Sequence, residues 1–255
     1  MLKNKVFCRI IWGSVLSVAA CSAAVQTALA ESSSAPHKQT FLAADDTRLI
    51  ADIYPAKGAK AHPCAILLHQ LGKTNADMVP LIAPLLAEGF AVVNLDMRGH
   101  GSSQARKNVT IPFTKFTNSD WAQLPTDLNL IVQNISTVPN IDKQQLALIG
   151  ASIGSNASII EGQSAPGVKA VVALSPGLDF HGLKPAAAMT NSRKPTLIVA
   201  ARDDAYSADS GLKLSKMEKN TSFDLLPNGG HGSQMFAAHP ELPKQIATWL
   251  HKAMH

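Results

Sequence analysis

Three short stretches of this chain carry the side chains of nucleophilic catalysis. Gly150-Ala151-Ser152-Ile153-Gly154 matches G-x-S-x-G. That pattern lifts a serine hydroxyl clear of a sharp strand-to-helix turn, and its glycines permit close backbone approach. A serine hydroxyl alone is a poor nucleophile and needs an adjacent base. His231, in the glycine-rich stretch Asn228-Gly229-Gly230-His231-Gly232, is the candidate base. Between them, Arg202-Asp203-Asp204 offers two carboxylates, either of which could orient the histidine. The order Ser, Asp, His is one of the known orders of a hydrolytic triad. A tetrahedral intermediate also needs backbone donors, and the amide of Ile153, directly after the nucleophile, is one candidate.

These residues are useful only if the chain places them together, so the elements that carry them matter. Cys64–His69 is a continuous apolar run of strand length, as expected of a strand buried on both faces. Helical and strand patterns then alternate. Helices are expected at 77–88, 119–136, 153–163, 208–219 and 242–254. Strands are expected at 90–95, 145–149, 168–174, 196–201 and 222–226. Two β-type runs, 39–43 and 48–54, precede them and flank a turn at Ala44-Asp45-Asp46-Thr47. Alternation of this kind implies βαβ units and a mainly parallel sheet, in which ligands bind beyond the carboxyl ends of the strands. Ser152, the Asp203-Asp204 pair and His231 each follow a predicted strand.

With these motifs in register, residues 39–255 resemble an α/β-hydrolase. The likeness is strongest to the small, lidless dienelactone-hydrolase-like and carboxylesterase groups. Two further motifs share in it, Leu67-Leu68-His69-Gln70-Leu71-Gly72 and Asp96-Met97-Arg98-Gly99-His100-Gly101-Ser102. The resemblance implies a mostly parallel central sheet of about eight strands with helices on both faces. It implies Ser152 as nucleophile, His231 as base and Asp204, with Asp203 as the alternative, as the acid. It also implies that Ile153 and Leu71 form the oxyanion hole. Gln70 stands where many members have glycine, so it is expected to hold its loop through a side-chain hydrogen bond. Dienelactone hydrolases proper usually carry cysteine as nucleophile, which counts against that substrate.

The remaining candidates have structural expectations. His69 is expected to order the oxyanion loop and His100 to sit in a turn, with Asp96 and Arg98 holding the loop beside the site. Whichever of Asp203 and Asp204 is not the acid is expected to be a surface group, paired with Arg202. Phe113 and Phe116 either wall an acyl pocket or pack onto the core near Trp121. Cys64 is expected to be a buried small hydrophobe. His62, His181, His239, His251 and His255 lack metal-ligand spacing, so no metal is expected, and acyl transfer needs no cofactor.

Composition narrows the function. Hydrophobic residues make up 46% of the chain and charged ones 16%, a globular balance. The net charge of +5 owes much to residues 1–30, which contain Lys3, Lys5 and Arg9 and no acid. Beyond them 20 basic residues face 18 acids, with no basic and aromatic cluster of the kind nucleic acid requires. Residues 1–30 read as a secretory signal, with a positive start, an apolar stretch and Ala28-Leu29-Ala30 as a cleavage pattern. Val18-Ala19-Ala20-Cys21 offers an earlier end, a lipobox that would anchor the protein to a membrane at Cys21. Residues 31–38 form a polar lead-in. The expected protein is therefore a secreted or periplasmic serine hydrolase acting on small carboxylic esters. The alternatives are a peptidase or thioesterase on the same triad, or a binding module that has kept the fold.

Overall fold

The structure is a computed structural model, which describes residues 35–190 and 193–255. Residues 1–30, with both versions of the signal, lie outside the described residues. Residues 34–255 form one compact unit.

Eight strands make the central sheet: β1 (His37–Leu42), β2 (Arg48–Tyr54), β3 (His62–Leu68), β4 (Ala91–Asp96), β5 (Ile141–Ala151), β6 (Val168–Leu174), β7 (Thr196–Ala201) and β8 (Thr221–Leu226). Their spatial order is β1-β2-β4-β3-β5-β6-β7-β8. β1 pairs antiparallel with β2, and β2 antiparallel with β4. From β4 to β8 every pairing is parallel.

The burial patterns explain this order. All of β4 and β7 is buried, as is all but one residue of β6. Successive side chains of a strand point to opposite faces, so each central strand feeds two cores. Cys64, Ile66 and Leu68 of β3 join Val93, Leu148 and Ile198 on one face. Ala65 and Leu67 join Val92, Ile149 and Val199 on the other. Four principal helices cover these faces: α1 (Leu124–Asn134), α2 (Ile153–Ser164), α3 (Ala205–Ser215) and α4 (Leu242–Met254). Leu128 and Ile131 of α1, Ile159 of α2 and Leu214 of α3 cover the first face. Ile246 and Leu250 of α4 cover the second, with Leu81 and Leu85 from the segment after β3.

Several boundaries differ from expectation for identifiable reasons. Residues 77–88 do not form one α-helix. A 3₁₀ segment, Asn75–Leu81, containing Pro80, precedes a short α-helix at Ile82–Ala87. Proline lacks the donor that an α-helix interior requires. The helix expected over 119–136 breaks into Asn118–Ala122 and α1, with Pro125 in the first turn of α1, where its missing N–H is harmless. α3 begins at Ala205 rather than 208 because the Asp204 side chain caps it, accepting from the Ser207 amide. β1 begins at His37, inside the expected lead-in.

The sheet creates one crevice. From β3 the chain crosses to β4 on one side and later to β5 on the other. Loops leaving the carboxyl ends of β3 and β5 therefore part company, and a groove opens between them. Leu71 follows β3 and Ser152 follows β5.

Candidate active site

Ser152 sits at the top of β5 with φ 54° and ψ −122°, in backbone territory that non-glycine residues rarely occupy. The surrounding sequence makes this turn possible. A Cβ on Gly150 would lie 2.1 Å from the Gly154 carbonyl oxygen, and one on Gly154 would lie 2.7 Å from the His69 carbonyl oxygen. Only glycine allows these approaches. The turn is pinned by the Ser152 amide, which donates to the Leu174 carbonyl at 2.8 Å.

His231 follows β8, and its Nε2 lies 2.7 Å from Ser152 Oγ. Its Nδ1 lies 2.6 Å from Asp204 Oδ2. A carboxylate cannot donate, so Nδ1 carries the proton and Nε2 is free to accept one from Ser152. Burial pushes the Asp204 carboxyl up, but hydrogen bonds from Ser207 and His231 outweigh it and hold the group below the usual carboxylate range. Asp204 therefore stays ionised beside the imidazole.

Asp203 does not reach the ring, as expected for one of two adjacent side chains. It does not pair with Arg202, however. Its carboxylate accepts the amides of Gly229 (3.1 Å) and Gly230 (3.1 Å), so the neighbouring acid shapes the loop that presents His231. Gln234 secures the same loop, its Oε1 accepting the His231 amide at 2.9 Å.

Leu71 and Ile153 border a cavity of about 320 Å³ that Ser152 and His231 also line. Ile153 is the first residue of α2, where an N–H has no partner within the helix. Among the described residues, neither the Leu71 nor the Ile153 amide is paired with an acceptor.

Gln70 holds its loop as expected, and its partner lies far along the chain. Its Oε1 accepts from the Ser233 amide at 3.0 Å, clasping the oxyanion loop to the histidine loop. His69 and His100 stabilise the same loop in similar ways. His69 donates through Nδ1 to the Gln70 carbonyl (2.8 Å), and its Nε2 accepts the Met97 amide (3.0 Å). His100 donates to the Arg98 carbonyl (2.8 Å) and accepts the Gly72 amide (3.2 Å). An imidazolium could not accept either amide. Burial accordingly pushes His69 down to about 4 and lowers His100 as well.

Asp96 and Arg98 are structural. Asp96 accepts the Asn75 and Ser102 amides. Arg98, 2% exposed, is forked against Asp127 at 2.7 and 2.6 Å and also reaches Asp45. Phe113 stacks on His100 and Phe116 packs edge-on against Trp121. Both lie against the core, and neither lines the catalytic cavity. Phe180 and His181, from the segment after β6, line it instead. Cys64 is fully buried. Among the described residues, no group of His, Cys, Asp and Glu side chains could hold a metal ion.

Two contributors were not anticipated. Ser175 Oγ accepts the Gly232 amide at 2.8 Å, steadying the residue after His231. Asn156, fully buried one helical turn after Ser152, donates to the carbonyls of Gly177 (3.0 Å) and Leu183 (2.8 Å) and accepts the Gly177 amide (3.1 Å). It fastens both ends of the segment that carries Phe180 and His181. A lone asparagine in a helix gave no signal of this, because its partners lie 21 and 27 residues away.

The strand order, the elbow at the switch point and the acid–base pair beyond later strands define an α/β-hydrolase fold. A family model described as serine aminopeptidase, S33, matches residues 59–222, and the chain belongs to that family of hydrolases. No curated protein matches the chain. Among solved structures, an esterase from Pyrococcus furiosus is similar at 17% identity and a TM-score of 0.70, covering 86% of this chain and 91% of its own. An esterase from Butyrivibrio proteoclasticus with ferulic acid bound is similar at 19% identity and a TM-score of 0.69, covering 85% and 99%. A dienelactone hydrolase from Anabaena variabilis is similar at 15% identity and a TM-score of 0.63, covering 86% and 97%. At these identities the likeness is one of fold.

Proposed function

We infer that this hydrolase is a serine carboxylesterase working through an acyl-enzyme. The observation that carries the reading is the continuous chain Asp204–His231–Ser152, at 2.6 and 2.7 Å, opening beside two unpaired amides. Ser152 Oγ attacks the ester carbonyl as His231 Nε2 takes its proton, and the oxyanion settles against the Leu71 and Ile153 amides. His231 then passes that proton to the departing alcohol. Water, deprotonated by the same nitrogen, cleaves the acyl-enzyme and regenerates Ser152. Asp204 stabilises the imidazolium formed in each step.

The description of the family points to peptides, and the esterase titles of similar folds point to esters. The cavity favours the ester. An aminopeptidase must hold a substrate ammonium, yet Gln70, Leu71, Ser152, Ile153, Phe180, His181 and His231 include no carboxylate. A binding module would have no use for a serine held at φ 54° and hydrogen-bonded to a base. The segment between β6 and β7 is too short for a large cap, which favours small soluble esters over aggregated lipid. Export follows from residues 1–30 as read above, and mass spectrometry of the mature N-terminus distinguishes Glu31 from a lipidated Cys21.

The test is hydrolysis of p-nitrophenyl esters from acetate to palmitate by wild type and Ser152→Ala. The variant should fold normally and lose at least about a thousandfold in kcat. Retention of more than about a tenth would overturn the assignment of the nucleophile.

A further inference from the structure

A second cavity, of about 660 Å³, lies beside the catalytic one. Its walls are largely apolar, with Ala122, Pro125, Ile160, Leu183 and Ala188 among them. Among the described residues, His181 is the one that borders both cavities.

His181 is placed with care. The Phe180 and Leu183 backbones exchange two hydrogen bonds, at 3.2 and 2.9 Å, across a tight turn. The central residues of that turn, His181 and Gly182, have φ 50° and 86°. Two positive values of φ mark a type I′ geometry, uncommon for a residue with a side chain though less so for histidine than for most. Asn156 anchors the segment from below, and the His181 ring stacks on Trp121 at 4.2 Å. His181 thus stands at the boundary between the two cavities.

We propose that the larger cavity is the subsite for the acyl chain of the ester, and that His181 sets how far the chain extends into it. This rests on the esterase reading above. The side follows from the chemistry. His231 must protonate the leaving alcohol, so that group lies against His231 and Phe180, whose rings are 6.0 Å apart. Neither residue borders the larger cavity, which leaves it to the acyl half. Its apolar walls suit an aliphatic or aromatic acyl group longer than acetate.

The experiment compares kcat/KM for p-nitrophenyl octanoate and acetate, expressed as a ratio within each preparation. His181→Gly removes the imidazole and suits the positive φ, and it should raise the ratio about tenfold. Ala188→Trp fills the larger cavity and should lower the ratio about tenfold. A partly misfolded preparation loses both activities together and leaves the ratio unmoved, so circular dichroism accompanies each variant. Ratios unchanged in two folded variants overturn the subsite while leaving the esterase standing. Variants that instead alter selectivity among acetate esters of different alcohols put the leaving group in this cavity, which also overturns the proposal. Absence of turnover by wild type on every ester overturns the esterase reading, and this inference with it.

Discussion

Replacing Asp204 by asparagine, with Asp203→Asn as its control, separates two adjacent acids that end the same strand. Of the two acids, only Asp204 meets the imidazole, at 2.6 Å. Its charge matters most when His231 becomes an imidazolium. Two unit charges with centres about 4 Å apart attract by about 4 kcal/mol at the effective dielectric of a partly exposed site. That alone is about a thousandfold in rate. Asparagine adds a second defect, because its amide can donate to Nδ1 and force the proton onto Nε2. The base would then be unable to accept from Ser152. The expected loss in kcat for Asp204→Asn is therefore about 10³- to 10⁴-fold, with KM little changed. Asp203→Asn keeps one oxygen, and Oδ2 alone already lies within reach of both the Gly229 and Gly230 amides, at 3.1 and 3.2 Å, so its loss should stay below about fivefold. Steady-state turnover of p-nitrophenyl acetate checks both. An Asp204→Asn enzyme within tenfold of wild type, or an Asp203→Asn enzyme that is the more damaged, would refute the electrostatic argument.

Two other outcomes follow from the contacts of the oxyanion loop. Gln70→Leu removes the acceptor for the Ser233 amide and frees two loops from one another, so kcat should fall about 10- to 100-fold, with a lower midpoint in urea. Wild-type kcat in that variant would mean that the clasp is irrelevant to catalysis. His69 has its folded value near 4, below the ordinary 6.5, so the unfolded chain binds the extra proton first. The stability that neutral His69 supplies is complete above pH 6.5 and is lost as the pH falls toward 4. The loss amounts to about 2 kcal/mol between pH 7 and pH 5. Urea melts across that range should show it, and a flat profile would contradict the burial of a neutral imidazole.

Much of the architecture was legible because it depends on short-range pattern. Runs such as Val168–Leu174 and Thr196–Ala201 are apolar but for Lys169 and Thr196 because both faces of a central parallel strand are covered, and their bounds match expectation. The elbow was legible for a similar reason. Gly150, Ser152 and Gly154 answer to contacts within their own turn and with the neighbouring strand end, and the motif carries that geometry wherever it occurs. The breaks at Pro80 and before Pro125 were less legible. Whether proline interrupts a helix or opens a new one depends on which turn it occupies.

Ser152 and His231 stand out from residue type, spacing and order, because few side chains can serve as a nucleophile or its base. Family spacing favoured Asp204, but only tertiary structure separated it from Asp203, since both leave β7 together and differ in direction. Where Phe113, Phe116, Phe180 and His181 pack was likewise decided in three dimensions. A large side chain beside a site can wall a pocket or fill the core, and periodicity within one segment does not decide between them. Gln70 and Ser233 meet across 163 residues, and Asn156 reaches a loop more than twenty residues away. Such contacts follow from the order in which strands pair, a property of the whole chain that no local stretch of sequence encodes.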